Sequence, residues 1–392
     1  MTSEWNHSTI NDVCVLVTDG SHSSPKSVND GKYMVSVKDF TDYGFDFASC
    51  RMISNDDYET LKRNGCVPQI DDILIGKDGA RFFEDIIIYR QREKPALLSS
   101  IAILRCDKSK ILPDFLYYVL RTPSFRQDVK DNYGSGSAIP RIILKDFKRM
   151  MVSYPSLEKQ QAIISVLTAI DSKIQANTEI NDNLQQQAAA LFSSLYDRSN
   201  TEVRFTDLIQ ILGGGTPKTG ENTYWNGNIA FFTPKDVGIP YTLITEKTIS
   251  KEGLSHCNSR LYPVNTVFVT ARGTVGKVGM SGVPMAMNQS CYALVGKETH
   301  QLLVYFYTLK AVDRLKHKAS GAVFDAITTR DFESEQIMKL SDDDATAFLR
   351  VAEPMFQEVL NNNIENLRLS TLRDSLLPKL MSGEIDVSAV QL

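Results

Sequence analysis

Two matching apolar seams constrain this chain more than any other feature. From Leu157 onward, Ile163, Leu167, Ile170, Ile174, Asn177, Asn181, Leu184, Ala188, Leu191 and Leu195 recur at alternating steps of four and three residues. That is the 3.5-residue period of a coiled-coil helix. The stripe is narrow, so the helix needs a partner, because its stability must come from packing rather than propensity. The two central positions are Asn, which in a seam lower stability and fix register.

The partner lies in the same chain. With Gly136 set on Gly321, one constant offset carries Lys145-Asp146-Phe147 onto Arg330-Asp331-Phe332, Ile174 onto Val359, Leu184 onto Leu369 and Leu191 onto Leu376. The same offset places Asn177 and Asn181 on Asn362 and Asn366, so the second seam reads Met355, Val359, Asn362, Asn366, Leu369, Leu376. An antiparallel pair brings Asn177 to Asn366 and Asn181 to Asn362, but a parallel pair also matches amide with amide, so this pattern leaves both open. The plain alternative is two amphipathic helices, each packed on its own block. Pro354 predicts a break: a short helix from about Asp342 to Glu353, then a longer one with Pro354 in its first turn. That second helix is expected to end near Leu377-Pro378, with residues 379–385 folding back as irregular or strand structure.

A globular block precedes each seam helix. The first opens with short β-rich runs, Val13 to Val17, Tyr33 to Val37 and Ile73 to Ile75, separated by Gly, Asp, Ser and Pro. Ile86 to Tyr89, Ile101 to Leu104 and a helix near residues 113–131 follow, then Gly134-Ser135-Gly136-Ser137. That small loop between Lys130 and Arg141 reads either as a phosphate approach through backbone N–H groups or as a plain turn. Block two runs from Val203 to Leu212 into Gly213-Gly214-Gly215-Thr216-Pro217-Lys218, which lacks the spacing of a nucleotide P-loop. Val267 to Gly273 aligns with Ile73 to Gly79, putting Arg272 on Asp78, and Asn288-Gln289-Ser290 falls on Leu98-Ser99-Ser100. The helix at 301–318 matches that at 113–131. Offsets drift while element order holds, as in two divergent copies of one domain.

A chain of 392 residues has room for two cores. Its six cysteines show no CxxC and no His partner, which predicts reduced, mostly buried thiols. No signal peptide or membrane-length apolar run is present, so a cytoplasmic location and no membrane partner are expected. The net charge of −4 does not exclude nucleic acid, because patches rather than totals attract phosphates. Charge is uneven: residues 105–149 hold a basic excess that includes Lys108, Lys110, Arg121, Arg126, Lys130, Arg141 and Lys145. Ser341-Asp342-Asp343-Asp344 reads as a helix cap rather than a metal site.

Taken in order, the β-rich block, the small GSG loop, a Lys-Asp-Phe strand, Tyr154-Pro155-Ser156-Leu157-Glu158-Lys159-Gln160 and a long helix, repeated and closed by Leu376 to Ile385, resemble the specificity subunit of type I restriction-modification systems. Gly214-Gly215-Thr216-Pro217, Ala271-Arg272-Gly273-Thr274-Val275-Gly276 and Asn288-Gln289-Ser290 are similar to stretches of that family's target recognition domains. The resemblance implies an α+β chain: two pseudo-repeated target recognition domains of mixed, β-rich α/β structure joined by two long helices in an antiparallel coiled coil. Its divisions are 1–155 for the first domain, 156–198 for the first spacer helix, 199–340 for the second domain and 341–392 for the second spacer helix and tail.

The resemblance also implies a non-catalytic subunit that reads a split sequence in double-stranded DNA. It docks two methyltransferase (M) subunits, which carry S-adenosylmethionine and modify adenine, with restriction (R) subunits as optional further partners. A helical pair of roughly forty residues spans about 60 Å, enough to separate two readers by about one duplex turn, roughly 34–36 Å. Candidate adenine contacts are Asn288 and Gln289. Arg272, Lys277, Lys218 and Lys235 are candidates for phosphate or guanine, and Thr216 joins them from the Gly-rich stretch. In block one the candidates are Lys38, Lys77, Arg81, Ser135 and Arg141; a surface cation or capping amide is the alternative for each. Block one lacks the Gly-Gly-Thr-Pro stretch and has Asp78 in place of Arg272, so its reading mode is expected to differ. The second repeat has Lys339-Leu340-Ser341-Asp342 where the first has Pro155 to Gln160.

An enzyme is not assembled by these residues. There is no Asp/Asn-Pro-Pro-Tyr/Phe methylation motif, no paired-glycine fingerprint after a strand, and no metal spacing among His7, His22, His256, His300 and His317. A nuclease on Asp71, Asp72 and Glu84 competes with acids solvated at turns. A coiled-coil scaffold that binds protein rather than DNA is the alternative of a different class.

Overall fold

Both seams fold as helices of 41 residues, Leu157–Asp197 and Asp342–Ser382. The computed structural model describes residues 5–79, 81–134, 140–238, 240–318 and 326–387. The chain divides into two compact units, Met1–Ser172 with Leu369–Leu392, and Lys173–Arg368. Each unit therefore takes with it a part of both long helices, where the sequence reading set the helices apart as segments of their own.

In the first unit, strands Cys14–Asp19, Ile101–Cys106, Ile73–Gly76 and Ile86–Ile88 lie side by side in that order, every neighbour antiparallel. Alternation sorts their side chains: Ile73, Ile75, Ala102 and Leu104 pack with Phe115 and Leu116 of a covering helix, while Leu74, Ile101 and Ile103 pack with Val35, Phe45 and Leu97 on the opposite face. Burial on both faces explains why these runs are almost wholly apolar. A three-stranded sheet, Arg51–Ile53, Lys32–Val35 and Ala96–Leu97, forms alongside, its last pair parallel. Asn6–Thr9 pairs with Met151–Tyr154.

The second unit repeats the plan. Ile209–Gly213, Cys291–Gly296, Val267–Thr270 and Val278–Ser281 stand in the same order, extended by Tyr241–Thr242. Lys247–Ile249, Trp225–Phe232 and Met285–Met287 form the three-stranded sheet, again with a parallel last pair. Thr201–Arg204 pairs with Gln336–Lys339.

The helix seam is antiparallel within each unit. In the second, Asn177 Nδ2 donates to Asn366 Oδ1 (2.9 Å) and Glu365 Oε2 (2.7 Å). Asn362 Nδ2 donates to Asn181 Oδ1 (2.9 Å), and Asn181 Nδ2 to Asn363 Oδ1 (2.9 Å). Asn177 is fully buried and Asn181 and Asn362 nearly so. Val359 is buried, Leu184, Leu191 and Met355 pack against the same core, and Ile174 is half-buried. In the first unit Ile163, Leu167, Leu377 and Leu380 share one core, with Leu376 against it and Ile170 and Leu369 half-buried. There Asp171 accepts from Tyr118 Oη (2.6 Å) and Arg373 Nη1 (2.8 Å). Amide meeting amide in opposite chain sense removes the parallel alternative.

Four expectations are corrected. Pro354 does not break the second long helix, and Pro378 does not end it. Both prolines are exposed, so the carbonyl each leaves unpaired can face water, while Ala352, Phe356 and Val359 hold the helix by packing. Helix continues to Ser382 and stops at Gly383, whose positive φ of 76° is a left-handed C-terminal cap. A Cβ there would lie 2.8 Å from Trp5 Nε1, so the start of the chain packs on this turn. Lys145-Asp146-Phe147 and Arg330-Asp331-Phe332 are not strands but short helices, Leu144–Arg149 and Thr329–Ser334, each just before its strand. The helix at 113–131 is two, Pro113–Arg121 and Pro123–Asn132, because Thr122 caps the second at a proline; its counterpart Gln301–Lys318 is continuous.

Asn181→Leu is expected to lower the urea-unfolding midpoint by the equivalent of about 1–3 kcal/mol, because it strands the buried Asn362 amide. The double change Asn181→Leu, Asn362→Leu should recover most of that loss or exceed the parent. Pro354→Ala should raise the thermal midpoint, with a gain of up to about 3 kcal/mol.

Candidate nucleic-acid interface

In the second unit one edge of the main sheet gathers four loops. Strand Ile209–Gly213 ends there, Cys291–Gly296 begins there and Val267–Thr270 ends there. Gly215 N donates to Met287 O (3.1 Å), Ala271 N to Ser290 O (2.8 Å), and Asn288 N to Phe232 O (3.0 Å). Thr274 Oγ1 donates to Pro234 O (3.3 Å), so the turn carrying Lys235 joins the cluster. A Cβ on Gly214 would lie 2.2 Å from the carbonyl oxygen of Asn288. Glycine is therefore required for this close approach.

These bonds bring together Thr216, Lys235, Arg272, Asn288 and Gln289. Thr216 Oγ1 donates to Gln289 Oε1. Asn288 Oδ1 accepts from Ser290 N (3.0 Å). Both carboxamides have their oxygens engaged by groups of these loops, so the amino groups remain as donors. Arg272 and Lys277 are exposed at the two ends of a tight loop whose Gly273 and Gly276 both have positive φ. Lys218 is exposed, and its carbonyl accepts from Trp225 Nε1 (3.2 Å). Among the described residues no carboxylate lies within ion-pair distance of Arg272, Lys277 or Lys218, whereas Lys235 is 3.6 Å from Glu246. A row of unneutralised cations and free amide donors suits phosphate oxygens and the acceptor edges of bases.

The first unit builds the same edge from other residues. Ser21 N donates to Leu97 O (2.7 Å) as Gly215 does to Met287, Lys77 N to Ser100 O (2.9 Å) as Ala271 does to Ser290, and Ile142 N to Lys77 O (2.9 Å) as Ile327 does to Ala271. A Cβ on Gly20 would lie 2.3 Å from Leu97 O, which makes Gly20 the counterpart of Gly214. Asp19-Gly20-Ser21-His22 thus stands where the Gly-rich stretch stands in the second unit, and the sequence reading missed it. The legible trace was one glycine followed by Pro25-Lys26, against Gly214 followed by Pro217-Lys218.

Two candidates here are tied up inside the fold or in a pair. Lys77 is only 7% exposed, its ammonium 3.4 Å from Asp19 and 3.6 Å from Asp78. It fastens two loops to each other and is not a free cation for DNA. Arg81 is paired with Asp85 at 2.6 Å. Lys38 is exposed on the short turn Val37–Asp39, whose Val37 touches Gly76. Arg141 is exposed and bridges Asp78 across the edge, as Ala326 bridges Arg272. Ser135 lies outside the described residues. No described helix is long and apolar enough to cross a membrane.

An α+β unit present twice, each copy with a loop edge on the same backbone frame and parts of two antiparallel helices, defines a duplicated scaffold with two equivalent surfaces. The sequence places it further: residues 2–186 and 198–339 match the family described as type I restriction modification DNA specificity domain, and the chain belongs to that family. The role that goes with membership is DNA sequence specificity, which disfavours a purely protein-binding scaffold. The chain is 24% identical to the type I restriction enzyme HindI specificity subunit of Haemophilus influenzae, over 72% of this chain and 80% of that protein. It is 22% identical to the MjaIX specificity subunit of Methanocaldococcus jannaschii, over 71% of each. The fold is similar to that of a type I restriction-modification S subunit from M. genitalium, with a TM-score of 0.60 and 16% identity over 97% of this chain and 96% of that one.

Gly214→Ala is expected to push the Asn288 segment off the edge and weaken binding of the target duplex roughly 10-fold or more. Gly20→Ala should do the same through the first unit. Fluorescence anisotropy on the assembled complex measures both.

Proposed function

We propose that each unit reads one half of a split duplex sequence through its loop edge, and that the two long helices serve as the spacer that sets the half-sites apart. The chain itself carries no chemistry in this reading. Two methyltransferase (M) subunits dock on it and bring S-adenosylmethionine for adenine modification, with restriction (R) subunits as optional further partners. The observation that carries the reading is the recurrence of one backbone edge with two sets of side chains. A shared scaffold with divergent donors and acceptors is what two different half-sites require.

The two edges differ in a way that bears on base choice. At equivalent bridge positions the second unit presents Arg272 and the first presents Asp78. A guanidinium donates in pairs to guanine O6 and N7, whereas a carboxylate accepts from the amino group of cytosine.

Replacing residues 201–340 by the corresponding block of another such chain is expected to change only one half of the methylated sequence. Genome-wide mapping of modified adenines reads the result, and a change in both halves would refute the modular reading.

A further inference from the structure

The basic run between residues 105 and 149 holds two arginines that the reading edge does not use. Arg121 and Arg126 line a cleft of about 230 Å³ in the first unit, together with Tyr118, Arg373 and Asp374. Other arginines that sit against buried groups of this unit, Arg105 and Arg373, are neutralised by carboxylates. Arg105 makes two bonds of 2.8 Å to the fully buried Asp72, and Arg373 is held by Asp171 (2.8 Å) and Asp374 (2.9 Å). Among the described residues neither Arg121 nor Arg126 has a carboxylate within ion-pair distance.

Both are nonetheless held in place. Arg121 stacks over Tyr117, 4.8 Å from the ring centre, and donates to its hydroxyl through Nη1. Arg126 Nη2 donates to Glu84 O (3.3 Å), while its Nε is buried without a partner. Burial, and then the charge of Arg121, push the Arg126 guanidinium below its ordinary range. Two like charges fixed close together are stabilised by an anion that enters between them.

We propose that this cleft is a seat for one backbone phosphate of the duplex, gripped by Arg121 and Arg126. The inference rests on the DNA-reading function above and adds a sequence-independent contact to it. A phosphate offers several oxygens to two guanidinium forks at once. The position favours DNA over an acidic protein segment. Arg126 is bonded to the 81–84 turn, which leads directly from Asp78 and Gly79 of the reading edge, and Lys130 stands 3.8 Å from Glu84 on the same turn. The carboxylate at the rim, Asp374, is engaged by Arg373.

The test uses the complex of this chain with its methyltransferase partner, titrated with salt against one duplex that carries the target and one that lacks it. Arg121→Gln, Arg126→Gln is expected to weaken both duplexes by the same factor and to reduce the log–log salt slope by about 0.9. The methylated sequence should not change. Arg121→Lys, Arg126→Lys keeps both charges and should retain the slope with only part of the affinity lost, which separates a phosphate contact from a folding defect. An unchanged slope in the Gln variant overturns the proposal, as does loss of the slope in the Lys variant. Failure of the Gln variant to assemble with the methyltransferase, where the Lys variant assembles, assigns the cleft to a protein carboxylate and also overturns it. A parent complex without salt-sensitive duplex binding would instead overturn the function on which the inference rests.

Discussion

Paired amides buried in the helix seam set the register on which much else depends. A purely apolar stripe of 3.5-residue period tolerates slippage by a heptad, because one Leu or Ile replaces another at little expense. Asn177, Asn181, Asn362 and Asn366 remove that freedom. Each finds its partner at 2.9 Å only in one alignment, and a slipped pair would leave buried amides unmatched at about 1–3 kcal/mol for each group. With the register fixed, Phe192 stacks on Phe306 and meets Phe348 edge-on, and Arg198 reaches Asp344 in the second unit. In the first unit the half-buried Asp171 and Arg373 pair across the two helices.

The two units show how a duplicated fold divides its labour. Strands buried on both faces stay mostly apolar in each copy, and the polar residues they do bury, such as Thr270 and Ser281, are hydrogen-bonded. The loop edge answers to different rules. Backbone hydrogen bonds recur one for one between the copies, and Gly20 and Gly214 persist because a carbonyl oxygen fills the place of a Cβ. Side chains on that frame have exchanged freely: Lys77 for Ala271, Asp78 for Arg272, Leu98 for Asn288. Even the tie that holds the loops has changed, from a buried ammonium between Asp19 and Asp78 to a hydroxyl–amide bond between Thr216 and Gln289.

Much of this architecture was legible in the sequence. The seam, its copied Asn pair and the order of elements are periodic or repeated signals, and they report packing that extends over many residues. What escaped were features decided by tertiary context. Pro354 and Pro378 read as breaks because propensity forbids them in a helix interior, yet their exposed side leaves only one carbonyl each to water. Leu144–Arg149 is too short for periodicity to tell helix from strand. Lys77 read as a surface cation because nothing nearby in sequence announces Asp19 as its partner. Gly20 carried too little signal alone, since the oxygen that demands it belongs to Leu97 on another strand.

Arginine stands once on the edge bridge of each unit, but on opposite sides of it: Arg141 faces Asp78 in the first, Arg272 faces Ala326 in the second. A column-by-column comparison of the copies sets Asp78 against Arg272 and Arg141 against Ala326 as two separate differences, where the folded edge shows one arginine on each bridge, on opposite sides of the rung. In a duplicated fold, a correspondence of this kind is visible only in three dimensions.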